Sequence, residues 1–336
     1  GGFGTGADKA LTVTGDVSVT GTLTGNASAI SMGNLTIVSG GTYSATSGTT
    51  TIKGNASSSS NLAWKNNGTF THNSGTVLFD GTNTFGGSSY GHIQPVTNTF
   101  NNLTINADSK YIQFRGSSQT VTVAGDLTVT DGALMNYGTN TATITVTGDV
   151  SIADGATLGA NTGGNDMVAP MNFGSLTIAD GGTFIATSGT TTINGAGAGH
   201  SGQASALENQ GTFTHNNGTI LLSSAGDQDV EMDGTGNFYN LTINKTNNDV
   251  IMHPNVTIEN NLDVTLAADH TLRPASTTNT VTVHGITSLT TGIIGGTTAY
   301  DGNHNWGTLQ INSGTFTMGS GTNNVTAIRN IGGTIN

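Results

Sequence analysis

The sequence predicts an all-β fold, a right-handed parallel β-helix (β-solenoid) built from a tandem repeat of about 138 residues. Three observations carry this expectation. Val, Ile and Leu alternate with Thr, Ser and Asn at period two, the pattern of short strands buried on one side. No ten-residue stretch combines the 3.6-residue period with good helix formers, and Ala204–Asn209 offers one turn at most. A long phrase is written twice.

The first copy of that phrase runs Gly-Asn-Leu-Thr-Ile (33–37), Ala-Thr-Ser-Gly-Thr-Thr-Thr-Ile (45–52), Gly-Thr-Phe-Thr-His-Asn (68–73) and Phe-Asn-Asn-Leu-Thr-Ile-Asn (100–106). The second runs Gly-Ser-Leu-Thr-Ile (174–178), Ala-Thr-Ser-Gly-Thr-Thr-Thr-Ile (186–193), Gly-Thr-Phe-Thr-His-Asn (211–216) and Phe-Tyr-Asn-Leu-Thr-Ile-Asn (238–244). Leu35 to Leu176 and Thr46 to Thr187 are 141 residues apart, Gly68 to Gly211 143, and Leu103 to Leu241 138. A near-constant offset over four landmarks is a tandem duplication, and stacked repeats form one continuous body.

In chain order, residues 1–26 read as a Gly-rich lead-in and the end of a preceding repeat. Residues 27–168 are solenoid repeat 1, 169–302 repeat 2, and 303–336 the start of a third, which opens at Trp306-Gly-Thr-Leu-Gln-Ile. Shorter phrases fill the copies. Leu11-Thr-Val-Thr-Gly-Asp-Val-Ser-Val returns at Val121 and Ile144, with Gly-Asp supplying a permissive turn. Pro95, Pro170, Pro254 and Pro274 fall between strand phrases, where a missing N–H breaks no ladder. Strand phrases recur roughly every 20–30 residues, so about 12–16 coils spaced by about 4.8 Å would make a rod of about 60–75 Å. Neither end shows a helix or a charged cap, and open strand edges invite pairing with another chain.

Composition narrows the function. Charged residues are 8% of the chain and the net charge is −12. Eight scattered basic residues make no stripe for nucleic acid. No apolar run approaches the roughly 18 residues of a membrane span. With no cysteine there is no disulfide and no thiolate metal site, which suits a large exported chain.

Asp227-Gln-Asp229-Val-Glu231-Met-Asp233 is the sharpest local feature. At period two the four carboxylates share one strand face while Gln228, Val230 and Met232 point inward. Asp227, Asp229, Glu231 and Asp233 are therefore candidate ligands for Ca²⁺, which takes several oxygens, and candidate acid and base groups on a glycan. The competing reading is a solvated face that blocks edge pairing. Aligned on Phe100 and Phe238, the first copy has Ser89, Gly91, Ile93 and Pro95 in those places, so the cluster belongs to one copy. His72 and His215 are equivalent, lie some coils apart, and read as half-buried ladder residues. Gly197-Ala-Gly199-His-Ser-Gly202 matches a dinucleotide fingerprint by letter, with no helix following to hold phosphates. Gly87-Ser-Ser89-Tyr-Gly91 matches a nucleophile elbow by letter, again with no helix. Phe70, Phe213, Phe100 and Phe238 read as inward stacking residues. Trp64 and Trp306 are the candidates for exposed sugar platforms. About ten Asn-X-Ser/Thr sites, Asn34, Asn102, Asn240 and Asn255 among them, are no more than so many Ser and Thr produce.

The phrases Gly-Thr-Phe-Thr-His-Asn-x-Gly-Thr-(Val/Ile)-Leu, Phe-x-Asn-Leu-Thr-Ile-Asn and Leu-Thr-Val-Thr-x-Gly resemble the repeat arrays of secreted bacterial and archaeal surface proteins, of the filamentous-haemagglutinin and autotransporter-passenger type. The resemblance covers most of 11–336 and implies a β-helix displayed outside the cell. The opening Phe3-Gly-Thr-Gly-Ala-Asp8 with Ala10-Leu-Thr-Val13 resembles the start of some phage tail-fibre proteins, with Asp8-Lys9 where those read Asp-Gly. The expected function is a structural rod, adhesin stalk or self-assembling fibre that associates end to end and meets cell-surface glycans, with no catalytic residue and no cofactor beyond Ca²⁺. The alternatives are a viral tail fibre or spike, and a polysaccharide depolymerase whose only cluster is 227–233.

Overall fold

Residues of the alternating phrases meet their counterparts one coil later. In the first half of the chain, Thr50, Val77, Leu103, Leu127 and Val150 stand in register on successive parallel strands. Two residues on, Ile52, Phe79, Ile105, Val129 and Ile152 form a second such row. Every one of these side chains is buried, while Thr51, Leu78, Thr104, Thr128 and Ser151 between them keep contact with solvent. The period-two pattern thus places an apolar column inside and a hydroxyl-rich row outside. In the second half the inner column is Thr191, Ile220, Leu241, Leu262, Thr287, Leu309 and Ile328. Partners in these columns lie 19 to 29 residues apart, one coil each.

The chain is accordingly all-β, a parallel β-solenoid of about 12 turns. It is a computed structural model that describes residues 2–4, 9–54, 62–81, 90–94, 99–116, 120–137, 141–161, 169–196, 205–295, 302–318 and 321–336. Among them are 38 strands and no helix. In the first turns each coil supplies three strands. Ile30–Met32, Leu35–Ile37 and Thr42–Ser44 are followed one coil later by Thr49–Ile52, Trp64–Asn66 and Thr69–Thr71, each pairing with its predecessor.

Two compact units can be distinguished, Gly1–Ala169 with Gly181–Phe184, and Pro170–Asp180 with Ile185–Asn336. In the first, the interior around Trp64 is aromatic. Its ring lies 4.9 Å from Phe70, 5.3 Å from Phe100 and 6.3 Å from Phe79. In the second, Leu207 and Leu222 stand where Trp64 and Phe79 do, and Phe213 meets Phe238 at 5.5 Å.

A recurring side-chain device links coil to coil. An Asn or Asp oxygen accepts the backbone N–H at the equivalent corner of the next coil. Asp126 takes the N–H of Asp149 at 2.9 Å, Asn102 that of Asp126 at 3.0 Å, and Asn261 that of Ile286 at 3.1 Å. Each such bond satisfies a corner N–H that the strands leave over, a net gain of about 0.5–1.5 kcal/mol.

Three expectations change. The helical turn expected within Ala204–Asn209 is not formed over the described residues 205–209: Leu207–Asn209 is a strand in register with Gln228–Met232, since Leu207 fills the inner column beside Val230. Pro274 is not between strands but closes Thr271–Pro274, opposite Met252. The ladder survives because Ala275 supplies the N–H to the Met252 carbonyl at 2.9 Å. Trp64 and Trp306, at 0% and 3% exposure, are core residues and not sugar platforms.

Candidate functional site

The acidic strand Gln228–Met232 lies between Leu207–Asn209 and Val250–His253. Gln228, Val230 and Met232 are buried, as their alternation requires. Val230 stands in the column of Leu207, Met252 and Pro274. The acids occupy the other row and do four different things.

Asp227, exposed just before the strand, accepts the Asp249 N–H at 3.0 Å, and Asp249 accepts the Thr271 N–H at 2.8 Å. This is the corner device already described. Asp229 is not solvated: it is 2% exposed, and its carboxylate lies 3.7 Å from Nε2 of His253. Glu231 accepts a hydrogen bond from the Ser205 hydroxyl at 2.8 Å. Its neighbours along the row are Glu208 on one side and His253 on the other. Asp233 is exposed beyond the strand end.

Glu231, Asp233 and His253 border an open groove of about 330 Å³, completed by Pro254, Ala275, Ser276 and Asn279. Carboxylates, an imidazole and an amide on such a groove can exchange hydrogen bonds with hydroxyl-bearing ligands. No three His, Asp or Glu side chains among the described residues converge as ligands for a metal ion, so the shared carboxylate face expected for Ca²⁺ is divided among these separate contacts.

The strand pairing also corrects the alignment of the two copies. Ile93 pairs with Trp64 as Val230 pairs with Leu207, which brings His92, and not Gly91, opposite Asp229. Arg115 then answers to His253. The first copy therefore carries a polar pair at the same place, its imidazole buried and its guanidinium half-buried. His92 is 1% exposed, with Nε2 3.0 Å from the Gln113 oxygen and Nδ1 3.2 Å from an Arg115 guanidinium nitrogen. Arg115 in turn lies 4.6 Å over the ring of Tyr137, a cation–π contact. Burial pushes the His92 imidazole below its usual range, the Gln113 bond pulls it back up, and Arg115 adds to the depression. Sequence reading passed over His92 because one residue of slippage in the alignment hides the equivalence.

His72 and His215 cap their own turns. Nδ1 of His72 accepts the Ser74 N–H at 3.0 Å, and Nδ1 of His215 the Asn217 N–H at 2.9 Å. His215 also stacks on Tyr239 and lies 3.2 Å from Glu259. The fingerprint at 197–202 lies outside the described residues, as do 87–89 of the elbow pattern.

Compared with family models, curated proteins and solved structures, the chain gives no match.

Proposed function

We propose that this chain is an extracellular structural solenoid, a segment of a surface-exposed rod, adhesin stalk or self-assembling fibre. One observation carries the reading: what the two copies keep in common is the machinery of coil stacking. The His-Asn-x-Gly turn, its imidazole cap and the glycine beneath the preceding coil recur with the same contacts. The polar groups packed along the other row differ between the copies, as at His92 and Asp229. Duplication that preserves a stacking unit extends a scaffold.

Ile328 follows the buried Thr287 and Leu309 in the inner column, yet is 51% exposed. A further coil over Asn323–Asn330, from this chain or from another copy, would cover it. In sedimentation velocity, the purified chain is expected to form linear oligomers that lengthen with concentration. Ile328→Asp should shorten them. A species that stays monomeric at the highest concentration overturns the self-assembling version.

A second reading rests on the groove at Glu231, Asp233 and His253. Its open acidic lining suits a polysaccharide. A glycan array read with the wild-type chain and with Glu231→Gln tests it, and unchanged binding removes this groove from the account.

A further inference from the structure

The second copy buries a lysine where the first has only small residues. Lys245 corresponds to Ala107, and Gln228, by the ladder pairing, to Gly91. A Gly and an Ala have thus been replaced together by a long amine and a carboxamide that meet. Lys245 is 3% exposed, and Gln228 is fully buried. Nζ of Lys245 lies 3.3 Å from the Gln228 side-chain oxygen. The amide is held on both ends. Its Nε2 donates to the carbonyls of Ile193 at 3.0 Å and Gly195 at 2.9 Å, and its oxygen accepts the Ser224 N–H at 3.3 Å. The ammonium donates further to the carbonyls of Gly226 at 2.6 Å and Asp249 at 3.4 Å.

From this geometry we propose that Lys245 and Gln228 are the two halves of an intramolecular isopeptide cross-link. The neutral amine attacks Cδ of Gln228. The carbonyl oxygen, gathering negative charge, keeps the Ser224 N–H as its donor. The Cδ–Nζ bond forms and the Cδ–Nε2 bond breaks. Nε2 leaves as ammonia, taking one proton from the attacking nitrogen. Amine and primary amide become secondary amide and ammonia, with no oxidant, reductant or co-reactant required. Fixing the partners in one buried contact supplies the proximity that makes such a step intramolecular.

The surroundings favour the reacting form. Burial pushes the Lys245 amine down to about 8, against the opposing pull of Asp227, Asp249 and Asp229. A free amine is then present near neutral pH, which an exposed lysine does not offer. The product would tie the corner at 224–228 to the strand end at 245 across one coil, removing a buried ammonium and leaving a closed covalent loop. The proposal holds wherever the chain works.

Intact-mass measurement of the whole chain tests it directly. After incubation at pH 9 a growing fraction should be lighter by one ammonia, about 17 Da. Trypsin should cease to cut after Lys245 in that fraction and, since Arg273 precedes Pro274, release 116–329 as a single fragment lighter by the same amount. Lys245→Met should keep full mass. The wild-type measurement decides the matter even if that variant fails to fold: full mass with normal cleavage after Lys245 following prolonged incubation at pH 9 overturns the proposal.

Discussion

The turns His72–Gly75 and His215–Gly218 are the same object made twice, whereas the polar pairs His92–Arg115 and Asp229–His253 are one place filled with different chemistry. In both turns the last N–H bonds back to the His carbonyl at 2.9 Å. In both, the two central residues have positive φ, 48° and 59° at Asn73 and Ser74, 52° and 56° at Asn216 and Asn217. That is the type I′ geometry, which Asn tolerates best after Gly. The polar pairs instead trade an imidazole against a guanidinium for a carboxylate against an imidazole. Backbone geometry at the corner admits few side chains. A pair on the outer row need only offer complementary groups, and either set does so.

The largest effect should follow from disturbing what the copies share. A Cβ on Gly75 would lie 2.0 Å from the Thr46 carbonyl oxygen, and one on Gly218 2.0 Å from that of Thr187. Backbone cannot yield there, because Thr76 and Thr219 donate to the carbonyls of Gly48 and Gly189 at 2.9 Å. Gly75→Ala and Gly218→Ala should each cost about 4 kcal/mol or more in denaturant unfolding. A loss below about 1 kcal/mol at either glycine would break the equivalence of the two corners.

Next come the interiors, alike in position but not in content. Trp64→Ala should cost about 3–5 kcal/mol, because Phe70, Phe79 and Phe100 would be left around a void. Leu207→Ala should cost about 2–5 kcal/mol, toward the lower end where smaller neighbours can collapse. Chemical denaturation of both variants checks the order, and a larger loss at Leu207 would show that the aromatic cluster is not the better-packed core.

Much of this was legible in the sequence, for a physical reason. A strand ladder converts period-two alternation directly into burial, so the columns through Leu103 and Leu241 could be read from letters. The repeated His-Asn-x-Gly phrase likewise marked a constraint. What could not be read depends on contacts between distant coils. Asp229 has the alternation of an exposed carboxylate, and only its packing beside His253 makes it buried. Trp64 and Trp306 carry no alternation signal that separates a core indole from a platform. The Lys245–Gln228 contact joins residues 17 apart in sequence, with nothing local to announce it.

A smaller effect, of opposite sign in the two copies, concerns one threonine in the inner column. Thr50 and Tyr43 are both fully buried, and their hydroxyls bond at 2.7 Å. Burial holds the Tyr43 phenol up at about 12, so it stays protonated. The position equivalent to Tyr43 is Phe184, which has no hydroxyl, and Oγ1 of Thr191 has no partner among the described residues. Thr50→Val orphans a buried phenol and should cost about 1–3 kcal/mol, whereas Thr191→Val removes an unsatisfied hydroxyl and should be neutral or stabilising by about 1 kcal/mol. Equal losses in paired unfolding experiments would refute this difference.

The smallest expected effect separates the outer pairs by pH. His92 is held neutral in the folded chain, below the 6.5 at which it titrates when unfolded. In the window below 6.5 the unfolded chain therefore binds a proton that the folded chain refuses, and stability falls as the pH drops. Above 6.5 both states are neutral and the contribution is flat. His92→Gln keeps a group able to accept from Arg115 and donate to Gln113 but has nothing to titrate, so its unfolding midpoint should fall less steeply between pH 6.5 and 5. Parallel slopes for the wild type and the variant would mean that the imidazole takes up its proton without losing its place. The guanidinium at 3.2 Å would then have had to turn away from Nδ1, since two donors cannot share that contact.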